Sequence, residues 1–370
     1  MNTSVKVPFI DLKQRFEEEH TELLACVERV VSQGHFVLTQ EVNEFEEQAA
    51  KYVGIKHCVG LNSGTDALMM ALWAHGIGKG DEVITTPVSF VATTGAIVHV
   101  GAKPVYVDVR DDQNIDPGKI ETAITSRTKA IMPVHWTGRI ADMNAIMDIA
   151  RKRKLLVIED AAQTMGAYYH KKHGGSFGHA AGFSAHPLKN LNALGDGGLL
   201  GTNDDEVARK VRLYRTHGLE SRDSCVIYGV NSRLDSLNAE VLKFRLGRLK
   251  SVVDRRRRNV EIYRKLIKPG PVQVPDEKPY EHNSYVMFIV QADDRDRLKE
   301  YLAQHGVESL VYYGTALHLH KAAAKFGYKR GDFPVAERQC DRVLALPHHQ
   351  HLTEEQITYV AEKVNKFYGA

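Results

Sequence analysis

The sequence predicts an α/β protein, with a mostly parallel sheet of seven strands in a large domain over residues 1–245 and a smaller α/β domain over 246–370. Two observations carry this. From about Thr39 to Asn203, short runs rich in β-branched residues alternate with stretches of helical periodicity, the pattern of repeated βαβ units. After Asn231 the texture changes to a long charged helix, a proline-rich break and a shorter set of elements.

In chain order, the expected strands are HCVGL (57–61), EVITT (82–86), PVYVDV (104–109), AIMPVH (130–135), LLVIED (155–160), AGFSA (181–185) and GLLGT (198–202). Helices are expected over 64–74 and 142–153, where apolar residues recur every three to four positions. The long helix covers about 236–266 and stops before KPGPVQVP, whose prolines cannot continue it. NSYVMFIVQ then gives a strand, followed by a helix to His305. Thr353 and Gln356 form the capping box of an amphipathic closing helix.

A chain of 370 residues can bury an ample core, and 43% hydrophobic with 26% charged residues is ordinary for a globular protein. Lys plus Arg (49) nearly balances Asp plus Glu (46), so no overall field points to nucleic acid or an anionic membrane. Cys26, Cys58, Cys225 and Cys340 are far apart and form no C-x-x-C pair, which fits a reducing cytosol. The N-terminus lacks an apolar signal core, and no stretch approaches the roughly 18 apolar residues of a membrane span. A cytoplasmic location is expected.

Three segments can carry chemistry. NSGTDAL (62–68) ends a strand in small polar residues and opens a helix, so its free N–H groups can hold an anion such as phosphate; Ser63 as a plain helix cap explains the same pattern. IEDAAQTMG (158–166) ends an apolar strand in Asp160, with Gln163 three residues on. At the carboxyl end of a parallel strand, Asp160 can face a ligand crevice and hold a pyridinium proton, or it can simply cap a helix. GFSAHPLKNLNALGDGG (182–198) leads through Ser184 and His186 to Lys189 and a glycine-rich turn. A desolvated lysine there can form a Schiff base with an aldehyde cofactor, although most lysines are solvated surface groups. The conjunction of a phosphate cradle, a carboxylate and a lysine at strand ends supplies the groups that a pyridoxal phosphate site needs.

With these residues the chain resembles the DegT/DnrJ/StrS sugar aminotransferases, which have the fold-type-I, aspartate aminotransferase-like architecture. The resemblance runs from VPFIDLKQ (7–14) through SGTDAL, GDEVITTPVSFVAT, VHWTGRIADM, EDAAQ and HPLKNLNALGDGG to GDFPVAE and LTEEQ. It implies pyridoxal 5'-phosphate as cofactor, Lys189 as the Schiff-base and catalytic lysine, Asp160 on the pyridine nitrogen and Gln163 on the phenolic oxygen. It likewise implies Gly64, Thr65 and Ser184 on the phosphate, and Phe90 stacked on the ring. Asn231, in GVNSRLD, resembles a residue that reaches the cofactor phosphate of a neighbouring subunit, which implies a homodimer with shared active sites. His186 and His318 are the candidate substrate contacts. The implied reaction moves an amino group from L-glutamate to a nucleotide-linked keto sugar. The chain departs from the family at Ala185, often aromatic, and at Trp136-Thr137, often Leu-Tyr; both positions are expected near the sugar. GDGG is similar to members acting at carbon 3, TTPVSFVAT to members acting at carbon 4.

Two runs are assigned other roles. HHQH (348–351) lacks the helical i, i+4 pairing of a zinc site, so a polar loop is expected and no metal ligand is assigned. RRRR (255–258) has no interleaved aromatic platform and is expected as a solvated helix face or an intersubunit contact rather than a nucleic-acid surface. A sugar dehydratase of the same fold replaces the lysine with histidine, so Lys189 argues against it. A non-catalytic, cofactor-binding regulator needs a DNA-reading element, and none is evident. A nicotinamide oxidoreductase needs G-x-G-x-x-G after the first strand, which is missing.

Overall fold

The structure is a computed structural model that describes residues 5–34 and 36–369. Seven strands form one sheet, His57–Leu61, Glu82–Thr85, Lys103–Tyr106, Thr128–Ile131, Leu156–Asp160, Ala180–Ser184 and Gly198–Thr202. Numbered along the chain from first to seventh, their spatial order is first, seventh, sixth, fifth, fourth, second, third. The seventh is antiparallel to both of its neighbours, and every other contact is parallel.

All seven expected strands are therefore present, with ends shifted by a few residues. The strand expected over 130–135 stops at Ile131 because Pro133 has no N–H to continue the ladder, although the Asp160 N–H still reaches the Pro133 carbonyl at 2.9 Å. The strand expected over 283–291 is only Phe288–Ala292. Its first half is diverted, since the Ser284 and Val286 N–H groups bond to the Gly138 and Thr137 carbonyls at 3.1 and 3.0 Å.

Period-two alternation places neighbouring strand residues on opposite faces. Val59, Val83, Ala130, Ile158 and Leu200 pack with helices Gly64–Ala74 and Asp205–Tyr214. Ile84, Ile131 and Val157 pack on the other face with helix Met143–Arg153, and Cys58, Ala181, Phe183 and Leu199 with helix Gln40–Val53. Both faces are thus dry, which is why the strands read as near-continuous apolar runs.

Ser236–Leu266 is one unbroken helix of 31 residues, so residue 245 falls inside it. Its first half, through Leu242 and Leu249, packs on the large sheet, whereas Val260 and Tyr263 belong to a second core. That core also holds the antiparallel strands Val272–Gln273, Phe288–Ala292 and Val343–Leu346 and the helix Glu354–Phe367, opened by the expected capping box. Val7 joins it through a parallel bridge to Val307. Among the described residues no helix is long and apolar enough to cross a membrane.

Candidate active site

The parallel strands bring their carboxyl ends to one edge of the sheet, and the chain places its reactive residues there. Asp160 and Ser184 are the last residues of their strands, Ser63 follows another by two residues, and Gly198 begins the antiparallel strand at the same edge. A cavity of about 550 Å³ opens at this edge. Gly64, Thr65, Phe90, Asp160, Gln163, Ser184, His186 and Lys189 all line it.

One wall is an anion cradle. Ser63 caps helix Gly64–Ala74, its hydroxyl accepting the Asp66 N–H at 3.1 Å, which leaves the Gly64 and Thr65 N–H groups without a protein acceptor among the described residues. The backbone approaches closely here: a Cβ on Gly64 would lie 2.9 Å from Ser184 Cβ, and one on Gly198 would lie 2.2 Å from the Ser63 carbonyl carbon. Only glycine at both positions lets three segments converge behind an anion.

Opposite charges face each other without touching. The Lys189 ammonium has no hydrogen bond or ion pair among the described residues. Burial lowers its pKa to about 8, with Asp160 pulling the other way. Asp160 is buried, which raises its pKa; a hydrogen bond from Thr93 Oγ1 at 2.6 Å and one from the Ala162 N–H at 3.3 Å oppose that rise.

The loop carrying Lys189 is pinned on several sides. Arg15 donates to the Pro187 carbonyl at 3.0 Å, Asn190 to the Ser284 carbonyl at 2.8 Å, and Arg245 to the Asn192 carbonyl at 2.9 Å. The side-chain oxygen of Gln163 is buried beside the cavity with no partner, and the Phe90 ring is 51% exposed at the mouth. An unpaired amine, a buried carboxylate, a partnerless amide, an open aromatic face and an N–H cradle fit an anionic phosphate ester of an aromatic aldehyde that carries a ring nitrogen.

Two expected residues lie elsewhere. His318 is 1% exposed and does not line the cavity of its own chain; its Nε2 lies 3.0 Å from Glu337, and its ring packs between Tyr106 and Phe333. Asn231 is exposed and lines no part of the cavity of its own chain. The departures at 136, 137 and 185 also lie outside it. Ala185 and Trp136 are buried, and Trp136 acts at one remove by packing 5.7 Å from Tyr313, which does line the cavity.

Of the run expected as a polar loop and the run expected as a solvated helix face or an intersubunit contact, only Arg258 is exposed. His348 and His349 are 5% and 2% exposed, because the segment tucks under the long helix, where Asn259 donates to the His349 carbonyl at 3.0 Å. Arg255 bonds Glu18, Arg256 is buried on backbone carbonyls and Arg257 bonds Glu277.

Sequence reasoning missed several lining residues. Thr93 stands one helical turn beyond Phe90, a spacing that could have revealed it. Phe9, Met287, Tyr312 and Tyr313 come from distant segments and have no local signal.

The DegT/DnrJ/EryC1/StrS aminotransferase family model matches residues 17–365. A "Pleiotropic regulatory protein" of Geobacillus stearothermophilus is 41% identical over 98% of this chain and 99% of its own length. The dTDP-3-amino-3,4,6-trideoxy-α-D-glucose transaminase of Streptomyces venezuelae is 39% identical over 98% of this chain and 96% of its own. Among solved structures, S. venezuelae DesV in complex with a ketimine intermediate superposes with a TM-score of 0.96 at 38% identity, covering 100% of both chains. Bacillus subtilis ntda with bound cofactor PMP gives 0.90 at 29% identity, covering 99% of this chain and 86% of that one.

Proposed function

Because the chain belongs to the DegT/DnrJ/EryC1/StrS aminotransferase family, we propose that Lys189 catalyses transfer of an amino group from L-glutamate to carbon 3 of a nucleotide-linked keto sugar. The cofactor is pyridoxal 5'-phosphate, which when bound supplies an electron sink for the carbon that loses its proton. Carbon 3 and the nucleotide sugar rest on the named activity of the Streptomyces relative. The observation that carries the reading is the unpaired, desolvated Lys189 amine facing buried Asp160 across one cavity with a phosphate cradle.

Each residue has a task in this reading. Gly64 and Thr65 would donate backbone N–H groups, and Ser184 its hydroxyl, to the phosphate. Phe90 would cover one ring face, and Gln163 would meet the phenolic oxygen. Asp160, held by Thr93, would pair with the protonated ring nitrogen and preserve its charge. Lys189 Nζ removes the α-proton of the donor and returns a proton to the product carbon; with a pKa of about 8 it is neutral in a useful fraction near physiological pH. His186, at the rim, would contact the sugar. Donor and acceptor use the same lysine in turn, so the kinetics are ping-pong.

The active unit in this reading is a homodimer, with Asn231 completing the partner's phosphate site. Exposed Phe16, Phe36, Val37, Val91 and Leu194, together with Tyr228 at 97% exposure, supply apolar surface that an interface between two copies could cover. The two cores joined by helix Ser236–Leu266 support a large cofactor domain and a smaller C-terminal domain dividing near 245. Free cysteines, three of them buried, support a reducing cytoplasm.

A regulatory role is the second reading, motivated by the name of the Geobacillus relative. A regulator that binds the cofactor would use Lys189 to anchor it, but that reading gives no task to a lysine free to move protons. Incubating the cofactor-loaded protein with L-glutamate and 3-keto or 4-keto dTDP- and UDP-sugars, with products identified by mass spectrometry and NMR, separates the cases. An amino sugar formed from 3-keto substrates is expected. Product from 4-keto substrates alone overturns the carbon assignment, and no product from any overturns the substrate class.

A further inference from the structure

Arg256 is the anomaly among the buried cations. A guanidinium removed from water ordinarily has a carboxylate beside it. Five arginines are at least nine-tenths buried: Arg15, Arg139, Arg215, Arg245 and Arg256. Arg139, Arg215 and Arg245 each carry an ion pair, to Glu281, Glu46 and Glu19. Among the described residues Arg15 and Arg256 carry none, and of these two only Arg256 lines the cavity.

Arg256 is 1% exposed, and its contacts are neutral oxygens: the Tyr285 and Val286 carbonyls at 3.3 and 2.9 Å, and Gln350 Oε1 at 3.2 Å. Its Nε has no partner among the described residues. Burial and the nearby Arg15 lower its pKa to about 9, the sign of a cation short of negative charge. His348 stands in the same cavity wall, 5% exposed, and among the described residues neither ring nitrogen makes a hydrogen bond of good geometry, the Tyr285 carbonyl being the backbone group nearest to forming one. Burial and Arg256 keep it neutral, so one ring nitrogen carries a proton to donate.

We propose that Arg256 and His348 form the subsite that takes a carboxylate of the amino donor, supplying the negative charge the protein withholds. The inference rests on the aminotransferase reading for the identity of the ligand, but the subsite itself is a property of these two side chains. An amino acid donor always brings a carboxylate to this cavity. The partnerless Nε of Arg256 and the imidazole N–H can both donate to it, a pair of charge-assisted bonds that a simple amine lacks.

The test uses the cofactor-loaded enzyme and two measurements. Calorimetric titration with glutarate, a dicarboxylate without an amine, reads the subsite without any reaction. The spectral change on adding L-glutamate reads the first half-reaction. Arg256→Gln and His348→Phe should each weaken glutarate binding and raise the half-saturating L-glutamate concentration roughly 10- to 100-fold, the loss expected for a bond to a charged group. Arg256→Lys should recover part of it. Half-saturation of the aminated enzyme by a keto sugar nucleotide whose sugar carries no carboxylate should stay within twofold of wild type.

Arg256 also ties Tyr285 and Val286 to Gln350. If Arg256→Gln does not fold, His348→Phe decides, since it removes no hydrogen bond of good geometry among the described residues. Folded variants that bind glutarate and L-glutamate like wild type overturn the proposal, as does a defect confined to the sugar nucleotide. A wild-type enzyme that binds glutarate but never reacts with L-glutamate overturns the aminotransferase reading and leaves the subsite standing.

Discussion

Thr93 donates its hydroxyl hydrogen to Oδ2 of Asp160 across 2.6 Å, and both groups are buried. Thr93 Oγ1 also lies 2.6 Å from Ser89 Oγ. A hydroxyl has one hydrogen, so if Thr93 spends its own on the carboxylate, Ser89 must be the donor in the second bond. The result is a short relay aimed at a carboxylate that faces Lys189.

Thr93→Val keeps the shape of the side chain and removes the relay. With that bond gone, burial raises the Asp160 pKa further, and its carboxylate is less available to a ring nitrogen. Losing a hydrogen bond to a charged group removes roughly 1.5 to 3 kcal/mol, so the half-reaction with L-glutamate should slow about 10- to 100-fold. Single-turnover absorbance measures it. An unchanged rate would show that the relay has no bearing on the chemistry.

Lys189 gives a stability prediction for the cofactor-free protein. Its folded pKa of about 8 lies below the ordinary 10.5, so the unfolded chain binds more protons between those values and stability rises with pH across that window. Below about pH 8 the folded protein carries a half-buried, unpaired ammonium. Lys189→Met should therefore raise the Tm of the cofactor-free protein at pH 7, and the advantage over wild type should shrink by pH 10. Scanning calorimetry at the two pH values checks this; a variant less stable than wild type at pH 7 contradicts it.

The phosphate cradle can be filled by one methyl group. A Cβ at position 64 would sit 2.9 Å from Ser184 Cβ, tighter than normal contact, and would push apart the segments that surround the anion. Overpacking of this kind costs about 1 to 3 kcal/mol, so Gly64→Ala should weaken pyridoxal phosphate binding roughly 5- to 100-fold. Equilibrium titration of the cofactor-free protein reads the affinity directly, and wild-type affinity would mean that the cradle lies elsewhere.

The local parts of this site were legible in the sequence because each occupies a strand end with its own signature. Ser63-Gly64-Thr65 is a turn into a helix, Asp160 ends an apolar run, and Lys189 lies between a strand and a glycine-rich turn. The seven strands were legible for the same reason, being apolar on both faces and separated by helices. Nonlocal facts were not legible. His318 looks like a free polar residue until Glu337, nineteen positions later, is seen to hold it in the core. The histidines at 348 and 349 and Arg256 look solvated in sequence, and only the fold shows them facing one another beneath the long helix. Tyr312 and Tyr313 line the cavity from a loop that carries no pattern of its own.

Asn231 is the residue whose role cannot be read within one chain. It is exposed, lies outside the cavity and follows a segment with solvent-facing Val226, Tyr228 and Val230. If it completes the partner's site, Lys189→Ala and Asn231→Ala damage different halves of a shared centre. Each variant alone should be nearly inactive. Mixed in equal amounts after dissociation and reassembly, half of the dimers are hybrids, and each hybrid has one site with both residues intact. Activity should recover to about a quarter of wild type, as expected for a two-fold dimer with shared sites. If each chain used only its own Asn231, a hybrid would contain no intact site and mixing would recover nothing; an Asn231→Ala variant with full activity would remove the residue from the mechanism altogether.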